Sequence, residues 1–194
     1  MTETVHVAAA DEESAVLSIL TLAFSTDPAS RWTWPEPASF LDAFPRFARA
    51  FGGAAFAAGS AHRIGTAAAA LWLPPGVGSD DAAIMALMMS TADVATAEDG
   101  PQVMKQMAAH HPEEPHWYLP MLGVDPAHQN RGLGSRLLKH ATDLFDREGA
   151  VAYLESSNPR NVALYERHGF QVTGRIQVGN SPLFTPMVRP PRHD

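Results

Sequence analysis

A glycine-rich turn is the part of the sequence whose residue types and spacing point most directly to chemistry. It reads Gln129-Asn130-Arg131-Gly132-Leu133-Gly134 and follows the apolar run 116–124. Apolar residues then recur at helical spacing and predict a helix over 131–148. Glycine in a helix costs about 1 kcal/mol relative to alanine, so two glycines in a first turn need a reason. They let a ligand approach unpaired N–H groups at the positive end of the helix dipole, where an anion, most often a phosphate, binds well.

The residues around these glycines limit which kinds of phosphate-binding site are possible. No Gly-Lys-Ser/Thr begins the helix, as a P-loop would require, and the turn lacks the G-x-G-x-x-G spacing of a dinucleotide fold. Arg131, Arg136, Lys139 and His140 surround the same helix end and could neutralise phosphate charge. A glycine-rich helix start without a ligand is the alternative, because short motifs also occur by chance.

A second polar segment, YLESSNPRNVALYERHGF, covers 153–170, about twenty residues further on. It predicts a strand over 150–155, an Asn-bearing turn and a helix over 159–168, with Gly169 as the helix C-cap.

The elements that must position these residues alternate between strand and helix. Further strands are predicted at 4–10, 54–58, 64–73, 116–124, 170–178 and 183–188. Further helices are predicted at 11–24, along the stripe from Phe40 to Phe51 with a kink or restart at Pro45, and as two helices between Ser79 and His111 broken near Gly100-Pro101. The loop 26–38 is aromatic and proline-rich. The pattern indicates an α/β (α+β) fold with a mixed sheet and helices on both faces.

Composition limits the function. A chain of 194 residues with 45% hydrophobic residues predicts one globular domain over 1–194. A net charge of -7 argues against nucleic-acid binding, and the polar N-terminus and short apolar runs predict a cytoplasmic protein without a membrane partner. The absence of cysteine excludes thiolate zinc sites. Adjacent histidines His110 and His111 point apart on a helix, so we expect no metal.

The two segments together resemble the signatures of the GNAT acetyltransferase superfamily. HWYLPMLGVDPAHQNRGLGS and LESSNPRNVALYERHGFQVTG are similar in particular to the puromycin N-acetyltransferase branch, specifically over 116–174 and more thinly elsewhere. The resemblance implies a sheet of about seven strands, with a splayed parallel pair that holds acetyl-CoA as cosubstrate. It does not imply puromycin itself, since related enzymes diverge in the loops 26–38 and 75–112.

The resemblance also implies which residues hold the cosubstrate. Pantetheine would pair with the strand backbone at 122–124, where an N–H, that of Leu122, would polarise the thioester carbonyl and stabilise the oxyanion. Pro120 would fit a bulge just before it. The cofactor-binding residues implied are Leu122, Gly123, Val124, Gln129, Asn130, Arg131, Gly132, Leu133, Gly134, Ser135, Asn158 and Asn161.

Two residues match catalytic roles in the family. Tyr165 aligns with the tyrosine that protonates the departing thiolate, and Glu155 is the first candidate for the base that deprotonates the amine. A packed tyrosine and a capping or ion-paired carboxylate are the alternatives. Asp27 and His116 are weaker base candidates that could bind acceptor or complete a turn. Trp32 could line the acceptor pocket, although burial is the default for tryptophan.

Three functions follow as expectations. The first is acetylation of a small-molecule amine, with antibiotics and other xenobiotics as candidate acceptors, by a monomer or homodimer. The acceptor would bind residues 1–112, which include an insertion suited to a lid, and acetyl-CoA would bind 113–190. The second is acetylation of a protein Lys or N-terminal amine, and the third is a non-catalytic acyl-CoA sensor.

Overall fold

Seven strands form one mixed sheet in the computed structural model, which describes residues 4–192 apart from the side chain of Ala95. The strands are β1 (His6–Val7), β2 (Ala61–Ile64), β3 (Ala68–Leu73), β4 (His116–Val124), β5 (Val151–Ser156), β6 (Gln171–Val172) and β7 (Thr185–Arg189). Their order is β1-β2-β3-β4-β5-β7-β6. β4 and β5 pair in parallel, whereas the other neighbouring pairs are antiparallel. The predicted mixed sheet is confirmed.

Helices cover both faces of this sheet. They are α1 (Glu13–Phe24), α2 (Pro28–Thr33), α3 (Pro37–Gly52), α4 (Ala54–Ala57), α5 (Asp81–Thr91), α6 (Val94–His110), α7 (Leu133–Glu148) and α8 (Pro159–Arg167). Within residues 4–192, no helix combines the length and the apolar character needed to cross a membrane.

The central strand β3 shows why the core has two halves. Its sequence AAALWL is apolar throughout, as expected for a strand covered on both faces, and all six residues are buried. Ala69, Leu71 and Leu73 face the cluster formed with α1 and α3. Ala68, Ala70 and Trp72 face the cluster formed with α7 and α8. Helices on opposite faces are therefore separated by one layer of sheet.

The parallel pairing of β4 and β5 is short. It runs from His116 opposite Val151 to Tyr118 opposite Tyr153 and then ends, although β4 continues for six residues. Directly after this point β4 carries a bulge. Leu71 pairs with Met121 and Leu73 with Tyr118, so two residues of β4 lie opposite one residue of β3. The bulge includes Pro120, as the sequence predicted.

Several predicted elements were wrong or too long. Residues 54–58 form the helical turn α4 rather than a strand, because the run AAFA favours helix and the chain reverses at Gly59 in the left-handed region (φ 68°). The strand predicted at 64–73 is the end of β2, a turn and β3. The strands predicted at 4–10 and 170–178 reduce to β1 and β6, with one isolated bridge from Ile176 to Phe184.

The helix boundaries also differ from the prediction. α3 continues through Pro45 because burial of its aromatic stripe outweighs the lost hydrogen bond. Between Ser79 and His111 the chain breaks at Ala92, which is extended, and Pro101 lies inside α6. The start of α6 is held against α2 by Thr96, whose hydroxyl donates to the carbonyl of Trp32 (2.9 Å). The predicted loop 26–38 contains α2, which Asp27 caps.

Gly123 permits close packing of α1 on β4. A Cβ at this position would lie 2.6 Å from the Cβ of Ala23 and 3.1 Å from Cδ2 of Leu20. Because those atoms belong to a packed helix, they have little room to move.

We expect Gly123→Ala to lower the free energy of unfolding by about 1–3 kcal/mol, since overpacking costs that much in tight cores. Gly78→Ala is the matched control, because a Cβ there meets nothing within 4 Å. Urea unfolding of both variants measures the effect, and equal midpoints would contradict the packing role of Gly123.

Candidate active site

The glycine-rich turn forms an uncapped helix start. Asn130 and Gly132 both adopt left-handed backbone conformations (φ 61° and 74°), and Gly132 is the N-cap of α7 without a side-chain cap hydrogen bond. The N–H groups of the first turn are therefore available to a ligand. A Cβ on Gly132 would meet nothing within 4 Å, so protein packing does not require this glycine. The space beside it is open.

The second glycine of the turn has a packing role. Gly134 is buried, and its Cβ would lie 3.5 Å from the side chains of Leu122 on β4 and Leu164 on α8. Gln129 ties the same turn to β4, since its side-chain amide donates to the carbonyl of Val124 (3.3 Å). The helix start is thus held directly beside the end of β4. Arg131 is exposed on the turn, and Leu133 packs into the core below it.

The free edge of β4 can be deduced from its pairing with β3. The N–H of Asp125, just after β4, donates to the carbonyl of Ala67 (2.8 Å). This orientation repeats every second residue of an antiparallel ladder, so Gly123 directs its N–H towards β3. Leu122 and Val124 direct theirs towards β5. Since the described β4–β5 ladder has already ended, neither has a partner on β5.

Several cationic side chains lie near His168, whose ring contacts the start of α7. Ser135 Oγ lies 2.6 Å from Nε2 of His168. Burial lowers the pKa of His168, and the neighbouring cations Arg167, Arg189, Arg192 and Lys139 lower it further. Lys139 also forms an ion pair with Asp143 (2.8 Å). Arg189 likewise forms an ion pair with Asp146 near the end of α7 (2.6 Å), so carboxylates pair with two of these four cations.

Tyr165 lies on the inner face of α8. It is 7% exposed, contacts the ring of Phe170 edge-on and belongs to the cluster on the α7 face of the sheet. Burial raises the pKa of its hydroxyl, and the charge of Asp27 adds to this. The phenol therefore stays protonated at neutral pH and can act as a proton donor.

Asp27 connects the N-terminal half of the chain to the C-terminal half. Its carboxylate caps α2 by accepting from the N–H groups of Ala29 and Ser30, and it accepts from the hydroxyl of Ser157 (2.8 Å). The side chain is buried, which raises its pKa despite these hydrogen bonds. Asp27 is thus a structural cap that also lies close enough to Tyr165 to influence its ionisation.

Glu155 lies on the opposite face of the sheet from Tyr165, since it follows Tyr153 by two residues on β5. Its side chain is only 1% exposed. The hydroxyl of Tyr153 donates to its carboxylate (2.9 Å), and Nε2 of His111 lies 3.4 Å from the same oxygen. Burial and the Glu155 charge raise the pKa of the hydroxyls of Tyr118 and Tyr153, which remain proton donors.

The remaining predicted residues lie around these groups. Asn158 caps α8 by accepting from the N–H of Arg160 (3.1 Å), and Asn161 is exposed in the first turn of α8. His116 begins β4 and reaches Glu155 only through His111. Trp32 packs with Val103, Ile176 and Phe184 in a separate cluster between α2 and α6. Its indole N–H is buried without a partner among the described residues.

Three residues around Glu155 were missed by sequence reasoning: Tyr118, Tyr153 and His111. The alternation in HWY and YLE places His116 and Tyr118 on one face of β4, and Tyr153 and Glu155 on one face of β5. That alternation was an available signal. Nothing local indicated His111, which approaches from α6. Within residues 4–192 no group of three or more metal-binding side chains is present, and the expected absence of a metal stays a prediction.

Comparison with known proteins identifies a family. Residues 21–170 match the acetyltransferase (GNAT) family. A segment of 55 residues is 47% identical to the N-alpha-acetyltransferase RimI of Mycobacterium tuberculosis, covering 27% of this chain and 34% of that protein. The chain therefore matches about a third of the length of this curated relative.

Solved structures share the fold over the whole chain. A structure described as histone acetyltransferase HPA2 and related acetyltransferase from Corynebacterium glutamicum has a TM-score of 0.68 and 24% identity, covering 100% of this chain and 99% of that one. A polyamine N-acetyltransferase of Drosophila melanogaster has a TM-score of 0.57 and 16% identity, covering 96% and 99%. At this level of identity the likeness shows the fold alone.

We expect the stability advantage of Asp27→Asn over the wild type to grow with pH. Burial raises the pKa of Asp27 above its usual 3.8, so ionisation destabilises the folded wild-type protein as pH rises from about that value through the raised pKa. The variant has no such ionisation. Urea unfolding at pH 3.5, 5 and 7 measures the difference in free energy of unfolding between the variant and the wild type. A difference that becomes smaller towards neutral pH would show that the surroundings stabilise the ionised carboxylate.

Proposed function

Because the chain belongs to the acetyltransferase (GNAT) family, we propose that it transfers an acetyl group from acetyl-CoA to an amine of a small molecule. The observation that carries this proposal is the open, uncapped start of α7, which lies beside the unpaired end of β4. One side offers N–H groups to a pyrophosphate, and the other offers a strand edge to an amide-containing arm.

The residues proposed to hold acetyl-CoA fall into three groups. The N–H groups of the α7 start, from Gly132 to Ser135, bind the pyrophosphate, with Gln129, Asn130 and Arg131 shaping the turn before it. Leu122 and Val124 pair with the pantetheine arm, while Gly123 sets the strand against α1. Asn158 and Asn161, near the start of α8, border the arm.

Acetyl-CoA supplies an activated thioester, and the chain supplies groups for the proton transfers. The N–H of Leu122 points into the gap and can donate to the thioester carbonyl. Tyr165 donates its proton to the departing thiolate, in keeping with its protonated state in the buried cluster. Glu155, on the other face of the sheet, accepts the proton of the incoming amine.

The acceptor is proposed to bind residues 1–112, and acetyl-CoA residues 113–190, as parts of one domain. Trp32 and the cluster between α2 and α6 provide an apolar wall, and Asp27 provides negative charge close to Tyr165. A net charge of -7 favours a cationic acceptor. The finer assignment to the puromycin N-acetyltransferase branch stays a prediction, as do the cytoplasmic location and the monomeric or homodimeric state.

A second candidate function is acetylation of a protein N-terminus. It is favoured by the segment that is 47% identical to an N-alpha-acetyltransferase. It would require an open groove at the acceptor side, where α6 packs on α2 and on Phe184. This packing favours the small-molecule acceptor.

We expect Gly132→Val to weaken acetyl-CoA binding at least about tenfold, because a side chain would occupy the open space at the uncapped helix start. Isothermal titration calorimetry measures the affinity. Gly149→Val is the matched control, since Gly149 caps the other end of α7, is also left-handed (φ 63°) and also has open space at its Cβ. Equal losses in both variants would reflect helix strain and would remove the pyrophosphate assignment.

A thiol-release assay tests the acceptor class in the protein that binds acetyl-CoA. The panel contains agmatine, spermidine, an arylalkylamine, puromycin and a peptide with an N-terminal alanine. Release with one of the small amines supports the proposal. Release with the peptide alone supports the second function, and binding without release for any acceptor indicates an acyl-CoA sensor.

We expect Tyr165→Phe to lower kcat by about 100-fold or more while the affinity for acetyl-CoA stays within twofold, because the phenol acts in thiolate departure rather than in binding. Steady-state thiol release and calorimetry measure the two quantities. An unchanged kcat would remove Tyr165 from the reaction and leave it a packed core residue.

A further inference from the structure

Glu155 has no direct contact with solvent through its side chain, which is 1% exposed. A base that accepts one proton in each turnover must release it before the next. Since bulk water does not reach this carboxylate directly, its proton needs another route. The side chains that contact Glu155 determine what that route can be.

Two histidines connect Glu155 to the surface. Nε2 of His111 lies 3.4 Å from Oε1 of Glu155, and the side chain of His111 is 32% exposed. Nδ1 of His111 lies 3.1 Å from Nε2 of His116. Nδ1 of His116 lies 2.8 Å from the carbonyl oxygen of Glu114, in an exposed segment. Four ring nitrogens thus form a continuous line from a buried carboxylate to the surface.

The end of this line fixes the tautomers. A carbonyl oxygen only accepts, so Nδ1 of His116 carries hydrogen. In the neutral ring Nε2 of His116 is then an acceptor, and Nδ1–H of His111 donates to it. His111 therefore presents a lone pair at Nε2 to a protonated Glu155, from which it can accept a proton, and as imidazolium it presents an N–H there to an ionised Glu155.

The His111 ring is held in this orientation by aromatic contacts on both strands. Its centroid lies 4.8 Å from Tyr118, 4.4 Å from Tyr153 and 5.3 Å from His116. The neighbouring His110 instead bonds to the carbonyl of Gln106 and lies against Gly174. Of the two adjacent histidines at the end of α6 and directly after it, only His111 thus contacts Glu155.

We propose that His111 and His116 form a proton relay that returns Glu155 to its ionised form after each acetyl transfer. This proposal rests on the proposed function. The N–H bond of the acceptor ammonium breaks and an O–H bond forms on Glu155. That proton then passes to Nε2 of His111, whose positive charge is stabilised by the Nδ1–H hydrogen bond to His116, and the partly exposed ring pair then releases one proton to water and returns to its starting tautomers. No further reactant is needed.

The test uses variants of the full-length protein with the panel amine that the wild type acetylates. We expect His111→Ala and His111→Gln to lower kcat by about tenfold or more, with KM for acetyl-CoA within twofold of the wild type. Glutamine keeps a side chain beside Glu155 that can donate or accept a hydrogen bond but cannot carry a proton, so recovery of wild-type kcat in His111→Gln would show mere positioning and overturn the relay. Added imidazole should restore kcat of His111→Ala, and absence of rescue would overturn it too.

A matched control and a double variant separate the relay from other effects. His110→Gln changes the adjacent histidine and should leave kcat within twofold. In a Glu155→Gln background, His111→Gln should have no further effect, because both act on one proton, whereas additive losses would contradict the relay. If the wild type is active and Glu155→Gln retains its kcat, Glu155 is not the base and the relay fails while the acetyltransferase assignment stands. If the wild type neither binds acetyl-CoA nor acetylates any amine, the proposed function itself fails.

Discussion

The end of the β4–β5 ladder is the constraint on which the rest of the structure depends. A strand in the middle of a sheet normally has both backbone edges paired, since unpaired buried N–H and C=O groups are costly. Here pairing stops at Tyr118 and Tyr153, and β4 continues with one edge bonded to β3 and the other free. The bulge at Pro120 occurs at the same point and changes the direction of the residues after it. Every feature of the candidate site lies around this opening.

The two faces of the sheet give the opening two different chemical environments. On the α7 face, Tyr165 is buried in an apolar cluster beside a helix start and cationic side chains. On the α1 face, a buried carboxylate accepts from a tyrosine and lies against an imidazole. The two groups proposed as proton donor and proton acceptor therefore lie on opposite faces of the sheet.

The sequence predicted those parts of the fold that depend on local patterns. The glycine-rich turn, α7 and the strand–turn–helix unit around Asn158 were found because capping and periodicity are properties of neighbouring residues. The break between α5 and α6 was misplaced because contacts with α2 set it, rather than Gly100 and Pro101.

The site was predicted less completely than the fold. His110 and His111 do point apart, as expected, but the partner of His111 lies on β5, 44 residues further along the chain, and no local pattern encodes that approach. Asp27 shows the same limit, because its bond to Ser157 spans 130 residues. Such contacts follow from how helices are laid across the sheet, which single-sequence patterns do not specify.

The alternation of the β4 backbone limits the positions that a bound cosubstrate can take along the strand. Only every second residue, Leu122 and Val124, directs its backbone groups to the gap, where the Val124 carbonyl already accepts from Gln129, while Gly123 is committed to β3. A bound arm can therefore shift only in steps of two residues, about 6.8 Å, and not by the length of one or two methylenes. The proposed pairing of pantetheine with this edge would therefore hold the carbonyl carbon at one position irrespective of acyl chain length.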